Sequence, residues 1–275
     1  MNPTAGDTAQ IGTIHISMLE QILKAARLRA QALQPDFIDL RVAATSVPPG
    51  PDFRAALAAP GLQVIAEIKR KSPSAGVIAA GLDPAEQARR YAAGGAAAIS
   101  VVTEPDFFGG SLEDLEAVCS AVDLPVLRKD FIVDETQMYE AKAAGADAVL
   151  LIVAALEESS LDSLLTVAAE LEIEALVEVH NRDELAVANR SGATIIGVNN
   201  RDLRTFETDL ATAETLAPEM AVAIKVAESG VSSAAAAARM AAAGYDAILV
   251  GEALVRSEDP AAFVAELRAA GRSSP

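Results

Sequence analysis

Residues 64–78 read VIAEIKRKSPSAGVI. The first part has the composition of a buried strand, and the rest that of the loop it feeds. Strand side chains alternate faces with a period of two. Ile65, Glu67 and Lys69 therefore share one face, and Val64, Ala66 and Ile68 the other. The second face is wholly apolar and suits packing beneath a helix, whereas the first ends in an acid and a base. A charge within a strand is costly unless paired or hydrogen-bonded. Two opposite charges closing an apolar run thus point to a site, with a structural ion pair and an ordinary turn as the alternative. Ser72-Pro73-Ser74-Ala75-Gly76 then supplies hydroxyls and backbone N–H groups in a tight loop, as anion binding requires.

Outward from this stretch, short β-branched or apolar runs alternate with Ala-rich helical ones. Further strands are expected at AAISVV from Ala97, PVLRK from Pro125, AVLLIV from Ala148, ALVEV from Ala175, TIIGV from Thr194, AVAIKVAES from Ala221 and AILV from Ala247. With the first they make eight, and such alternation implies βαβ units on a parallel sheet. Eight units in roughly 200 residues fit a (β/α)8 TIM barrel. YAAGGAAAIS, AKAAGADAVLL, ANRSGATIIGV and MAAAGYDAILV read alike, each a helix end, a glycine, a turn and a strand start. Glycine is favoured just past a helix because it accepts the left-handed conformation. Duplication and independent convergence of αβ loops explain that repeat equally well. Ahead of the barrel, Ile16 to Leu33 has helical apolar spacing. A polar, proline-rich connector is expected through Pro51, followed by a short helix over Phe53 to Ala59. The expected organisation is a loose tail over 1–13, one barrel domain with its N-terminal helices over 14–270, and a short tail over 271–275.

Composition narrows the function. The 275 residues are 51% hydrophobic and 22% charged, enough apolar mass for a full core. No apolar run is long enough to span a bilayer, and no secretory signal pattern opens the chain. A net charge of −17 argues against nucleic acid, although surface charge is screened over about 8 Å at physiological salt, so local lysines still set the sign of a pocket. His15, His180 and Cys119 are too few for a zinc site of the usual type. A single cysteine also suits a reducing cytoplasm. Neither a G-x-G-x-x-G nor a Walker A pattern occurs.

Barrel chemistry sits where strands end. There the alternation delivers Glu67 and Lys69 from the first strand, Lys129 from the third, Glu178 from the fifth, Asn199 from the sixth and Glu228 from the seventh. Unpaired burial of so many polar groups would cost several kcal/mol each, so their convergence at one rim points to catalysis. An anion cradle is expected from Ser229-Gly230 and Gly251-Glu252, with the dipole of a helix start behind it. Glu252 is expected to use its backbone N–H and turn its carboxylate to solvent. Ser72 is expected within reach of the same anion.

VIAEIKRKSPSAG, VVTEPDFFGGSLEDL, PVLRKDFIV, ALVEVH, IIGVNNRDL, AESGV and LVGEALV, taken together, closely resemble the indole-3-glycerol-phosphate synthase family of tryptophan biosynthesis, in order from about Ile16 to Arg268. The resemblance implies a (β/α)8 barrel with an N-terminal helical extension, and a carboxy-lyase that closes and decarboxylates 1-(o-carboxyphenylamino)-1-deoxyribulose 5-phosphate. It implies no cofactor and no metal, with a small phosphorylated molecule as partner; nucleic acid and membrane are not expected, and a monomer is. By motif position Lys129 resembles the general acid, and Glu178 the base or iminium-stabilising carboxylate. Glu67 and Lys69 resemble the pair used in dehydration and substrate holding. Asn199, Arg201 and Glu228 resemble residues fixing the substrate's polar groups. Ser72, Ser229, Gly230, Gly251 and Glu252 match phosphate positions, and Phe108 the residue packing on the aromatic ring. The rivals are a related phosphate-binding isomerase, such as phosphoribosylanthranilate isomerase, which uses a first-strand cysteine, and a non-catalytic metabolite-binding barrel.

Overall fold

The computed structural model describes residues 17–202 and 205–271. Eight parallel strands close into a ring: β1 (Gln63–Ile68), β2 (Ala98–Val102), β3 (Val126–Lys129), β4 (Ala148–Ile152), β5 (Glu174–Val179), β6 (Ile195–Asn199), β7 (Ile224–Glu228) and β8 (Ala247–Val250). Each pairs with its neighbours in sequence, and β8 closes on β1. All eight expected strands are present. Their alternation sorts the core into two shells. Ile65, Leu127, Leu150, Leu176, Ile195 and Val226 pack inside the ring. Val64, Ala66, Ile99, Val149, Val177 and Ile248 pack outward beneath the helices.

The outer ring contains α4 (Pro84–Ala93), α5 (Leu112–Cys119), α6 (Glu135–Ala143), α7 (Glu158–Glu170), α8 (Arg182–Arg190), α9 (Ala211–Leu216), α10 (Ala234–Ala242), the short α11 (Glu252–Val255) and α12 (Pro260–Ala270). Most begin at a residue whose side chain takes an orphan N–H: Asp83, Ser111, Asp134, Asn181, Ser233 and Asp259 each accept from the first turn. The repeat glycines Gly95, Gly145, Gly192 and Gly244 all have positive φ just past a helix, as their spacing predicted.

Three helices precede the barrel: α1 (Met18–Leu33), α2 (Phe37–Ser46) and α3 (Phe53–Leu57). Ser17 and Glu20 form a capping box at the start of α1, and Ile16 lies outside the described residues. The expected connector through Pro51 is corrected: a 3-10 turn (Gln34–Asp36) leads into α2. Its pattern is hard to read because Ile38 and Val42 are exposed while only Ala44 is buried. The helix is held by tertiary contact, with Phe37 edge-on to Tyr139 of α6 and Arg41 over both rings.

The N-terminal helices cover both ends of the barrel. Phe53 and Leu57 of α3 are buried inside the ring at the strand starts, where Arg54 bonds Glu174 and Thr194. At the opposite end, Met18, Leu19 and Ile22 of α1 line the mouth. The expected 1–13 tail lies outside the described residues, as do 272–275, while Gly271 caps α12 against Leu62. Among the described residues no helix is long and apolar enough to cross a membrane.

Candidate active site

A cavity of about 430 Å³ opens at the C-terminal end of the strands. Every residue singled out from the sequence lines it: Glu67, Lys69 and Ser72 on one side, Phe108 and Lys129 next, then Glu178, Asn199 and Arg201, and finally Glu228, Ser229, Gly230, Gly251 and Glu252.

Lys129 stands at the centre. Its Nζ lies 2.6 Å from Glu228 Oε2 and 3.3 Å from Glu178 Oε2, so three strands meet on one ammonium. Burial alone would depress this lysine, but the charges of Glu228, Glu178 and Glu67 outweigh burial and hold it above its ordinary value. The two carboxylates then diverge. Burial favours the neutral form of Glu178, yet Lys129, His180 and Asn199 together hold it ionised, well below the usual range. Glu228 is pushed up to about 7, by burial first and by the Glu178 charge. Geometry accounts for the asymmetry. Glu178 Oε1 accepts from Asn199 Nδ2 at 3.2 Å, whereas Glu228 Oε1 is buried with no hydrogen-bond partner among the described residues. Glu228 is therefore the more readily protonated of the two carboxylates.

Glu67 and Lys69 form a second pair, 2.5 Å apart, with Glu67 buried. Two glycines make room for these carboxylates. A Cβ on Gly197 would lie 2.2 Å from Glu228 Oε1, and one on Gly251 would lie 2.2 Å from Glu67 Oε1. Any larger residue would push an acid from its place.

At the rim, Lys71–Ser72 pairs antiparallel with Gly76–Val77, which turns the expected loop into a small hairpin, and Ser72 Oγ accepts from Ala75 N. Ser229 and Gly230 follow β7 with φ of 60° and 83°, two left-handed residues in succession. Among the described residues no side chain caps α11, whose N-cap is Gly251, so its first N–H groups remain for a ligand. The Glu252 carboxylate turns to Arg256 on the helix surface, 2.9 Å away. Arg201 bonds Phe206 O and Asn199 bonds Arg201 N.

Three residues of the site went unread in the sequence. His180 lies 3.2 Å from Glu178 and 2.9 Å from Glu184. Burial opposes its charge, but those carboxylates raise its pKa to about 10. Glu104 and Asp130 line the cavity itself, whereas His180 reaches the site through its contact with Glu178. Extending the alternation two residues past Glu178 reaches His180, and two past Val102 reaches Glu104. The lone thiol stands apart. Cys119 ends α5 and contacts Gly145 O, and burial pushes it up to about 12. It therefore fills no first-strand nucleophile position of the rival isomerase type.

Residues 19–267 match the family model described as indole-3-glycerol phosphate synthase. The indole-3-glycerol phosphate synthases of Mycobacterium avium (strain 104) and Rhodococcus jostii (strain RHA1) are each 50% identical, over 258 and 259 residues that cover 93% of this chain and 95% and 96% of theirs. Among solved structures, a thiamine phosphate pyrophosphorylase from Pyrococcus furiosus superposes with a TM-score of 0.60 at 19% identity, covering 80% of this chain and 98% of its own. A 3-hexulose-6-phosphate synthase does so with 0.61 at 23%, covering 76% and 99%. These two share the barrel alone. With a family model spanning nearly all its described length and half-identical relatives along the same stretch, the chain belongs to the indole-3-glycerol phosphate synthase family.

Proposed function

We propose that this chain converts 1-(o-carboxyphenylamino)-1-deoxyribulose 5-phosphate into indole-3-glycerol phosphate, carbon dioxide and water. What carries the proposal is the Lys129 ammonium, held between Glu228 and Glu178 at the mouth of a cavity with an apolar floor.

The phosphate sits against the uncapped start of α11 and the Ser229-Gly230 turn, with Ser72 opposite. Phe108 faces the aryl ring, while Arg201 and Asn199 hold the polar chain. Ring closure joins the aryl carbon that bears the carboxylate to the ketone carbon. Negative charge develops on the ketone oxygen and positive charge on nitrogen. Lys129 donates to that oxygen, where a fixed cation in a low-dielectric site is most effective. Glu228, poised near neutrality, returns a proton to Lys129. Glu178 stays ionised and faces the cationic nitrogen. The electron pair of the departing carboxylate then neutralises that nitrogen, so the iminium is its own electron sink. In the second half the former ketone oxygen leaves as water, with Lys69 supplying the proton and a carboxylate, Glu67 or Glu178, taking the one lost from carbon. The single cysteine, a half-buried thiol, suits a cytoplasmic setting.

Incubating purified protein with the carboxyphenylamino substrate and following indole fluorescence tests the assignment. A rise that saturates with substrate is expected; a flat trace from folded protein would overturn it.

A further inference from the structure

One cation on α1 reaches across the mouth to the loops after β2 and β3. Arg29 Nη1 donates to Glu104 Oε1 at 3.1 Å and to Asp106 Oδ2 at 3.3 Å, and Nη2 donates to Asp130 Oδ1 at 3.4 Å. Asp106 is largely exposed, and a rim pair of that kind contributes little. Glu104 and Asp130 are buried, and each also holds backbone. Glu104 Oε2 accepts from Phe107 N at 2.7 Å and from Phe108 N at 3.0 Å. Asp130 Oδ1 accepts from Phe131 N at 2.8 Å, and its Oδ2 from Thr103 Oγ1 at 2.7 Å. The rings of Phe108 and Phe131 both line the cavity, 6.2 Å between centroids. Each arm of one guanidinium thus touches a carboxylate that holds the backbone of one phenylalanine, but the two differ: Asp130 Oδ2 also pairs with the buried Arg128 Nη2 at 3.2 Å, whereas among the described residues Glu104 pairs with Arg29 alone.

We infer that Arg29 is a positioning residue: a strut from the N-terminal helix that sets the gap between Phe108 and Phe131, and with it the fit for an aryl group. The inference rests on the proposal that Phe108 faces the substrate's ring. A buried carboxylate without its cation takes up a proton or turns toward water. In either case Glu104 loosens its hold on the Phe107 and Phe108 N–H groups. Lysine is no substitute, because a single ammonium has no fork with which to hold two separate carboxylates at once.

Three variants test this: Arg29→Met, Arg29→Lys and Phe108→Ala. KM and kcat are measured for the carboxyphenylamino substrate, with Ki for inorganic phosphate as a competitive probe of the anion end. Arg29→Met is expected to raise KM about ten-fold, the worth of one charge-assisted hydrogen bond, with kcat and the phosphate Ki nearly unchanged. Arg29→Lys should raise KM by a smaller factor with the same split. Should Arg29→Met fail to fold, Arg29→Lys alone decides. An unchanged KM in the folded Arg29 variants while Phe108→Ala raises it would overturn the strut and leave the aryl assignment standing. A phosphate Ki rising in parallel with KM would also overturn the strut, since it means general loosening. An unchanged KM in Phe108→Ala would overturn the aryl assignment itself, and the strut with it.

Discussion

The lower and upper halves of the barrel's inner face come from the same eight strands and carry opposite chemistry. Below, Ala98, Leu127, Ala148, Ile195 and Ala247 pack with Phe53 and Leu57 into an apolar plug. Above, one or two steps further along the same alternation, stand Glu67, Lys129, Glu178, Asn199 and Glu228. Strand geometry is common to both, so the separation is one of environment. The apolar layer supplies the fixed, low-dielectric floor against which paired charges interact strongly, and its own burial offsets the desolvation that the charged layer costs. Damage below should therefore be felt as stability, and damage above as chemistry.

The sharpest way to break that division is at Lys129. Lys129→Ala should lower turnover roughly 10²–10⁴-fold, the usual worth of a general acid, with folding retained because Glu228 accepts a proton in place of its partner. A rate within a factor of three would end the assignment. At the other end, Phe53→Ala should cost about 3–5 kcal/mol of stability, read as a shifted denaturation midpoint, with kcat per folded molecule unaltered. A collapse of kcat in the folded fraction would show that the halves are not separable.

Smaller effects sharpen the contrast within the upper half. Gly230 has a φ of 83°, and a Cβ there would lie 2.7 Å from Thr208. Gly230→Val, strained by about 1–3 kcal/mol, should raise KM for the phosphorylated substrate far more than it changes the melting temperature; an unchanged KM would remove this turn from the anion cradle. His180 has its pKa raised from 6.5 to about 10 in the folded chain. Its ionic contribution to stability is therefore complete below pH 6.5 and is lost progressively as pH rises through about 10. His180→Gln should accordingly lag the unaltered chain in urea stability at pH 6 and draw level with it above pH 10. A gap independent of pH would mean that the imidazole is neutral. The smallest effect belongs to Glu252, whose carboxylate pairs with Arg256 on the surface. Glu252→Gln should change KM by less than about two-fold, as exposed pairs do, and a marked fall in KM would place that charge beside the phosphate after all.

Much of this was legible because side-chain alternation is a local property. Ile65, Glu67 and Lys69 announce an inner face wherever the strand lies, and the same period carries Leu127 to Lys129 and Leu176 to Glu178. Glycines past helix ends and side-chain caps at helix starts are equally local. Helix α2 was not legible, since its amphipathic pattern is weak and its place depends on Tyr139, about a hundred residues away in the chain.

By itself, then, the sequence determined which residues face inward, how many βα units there are and which end of each strand is polar, because these follow from periodicity within a few residues. Only the tertiary structure decided which of two paired carboxylates is the more readily protonated, which glycines must stay small and where Arg29 lands. Glu228 differs from Glu178 through what closure of the ring brings near them, Asn199 and His180 to one and, among the described residues, no hydrogen-bond partner to the second oxygen of the other. The contacts that set a pKa or brace a loop join residues as far apart as 99 and 101 positions, and no local pattern encodes such distances.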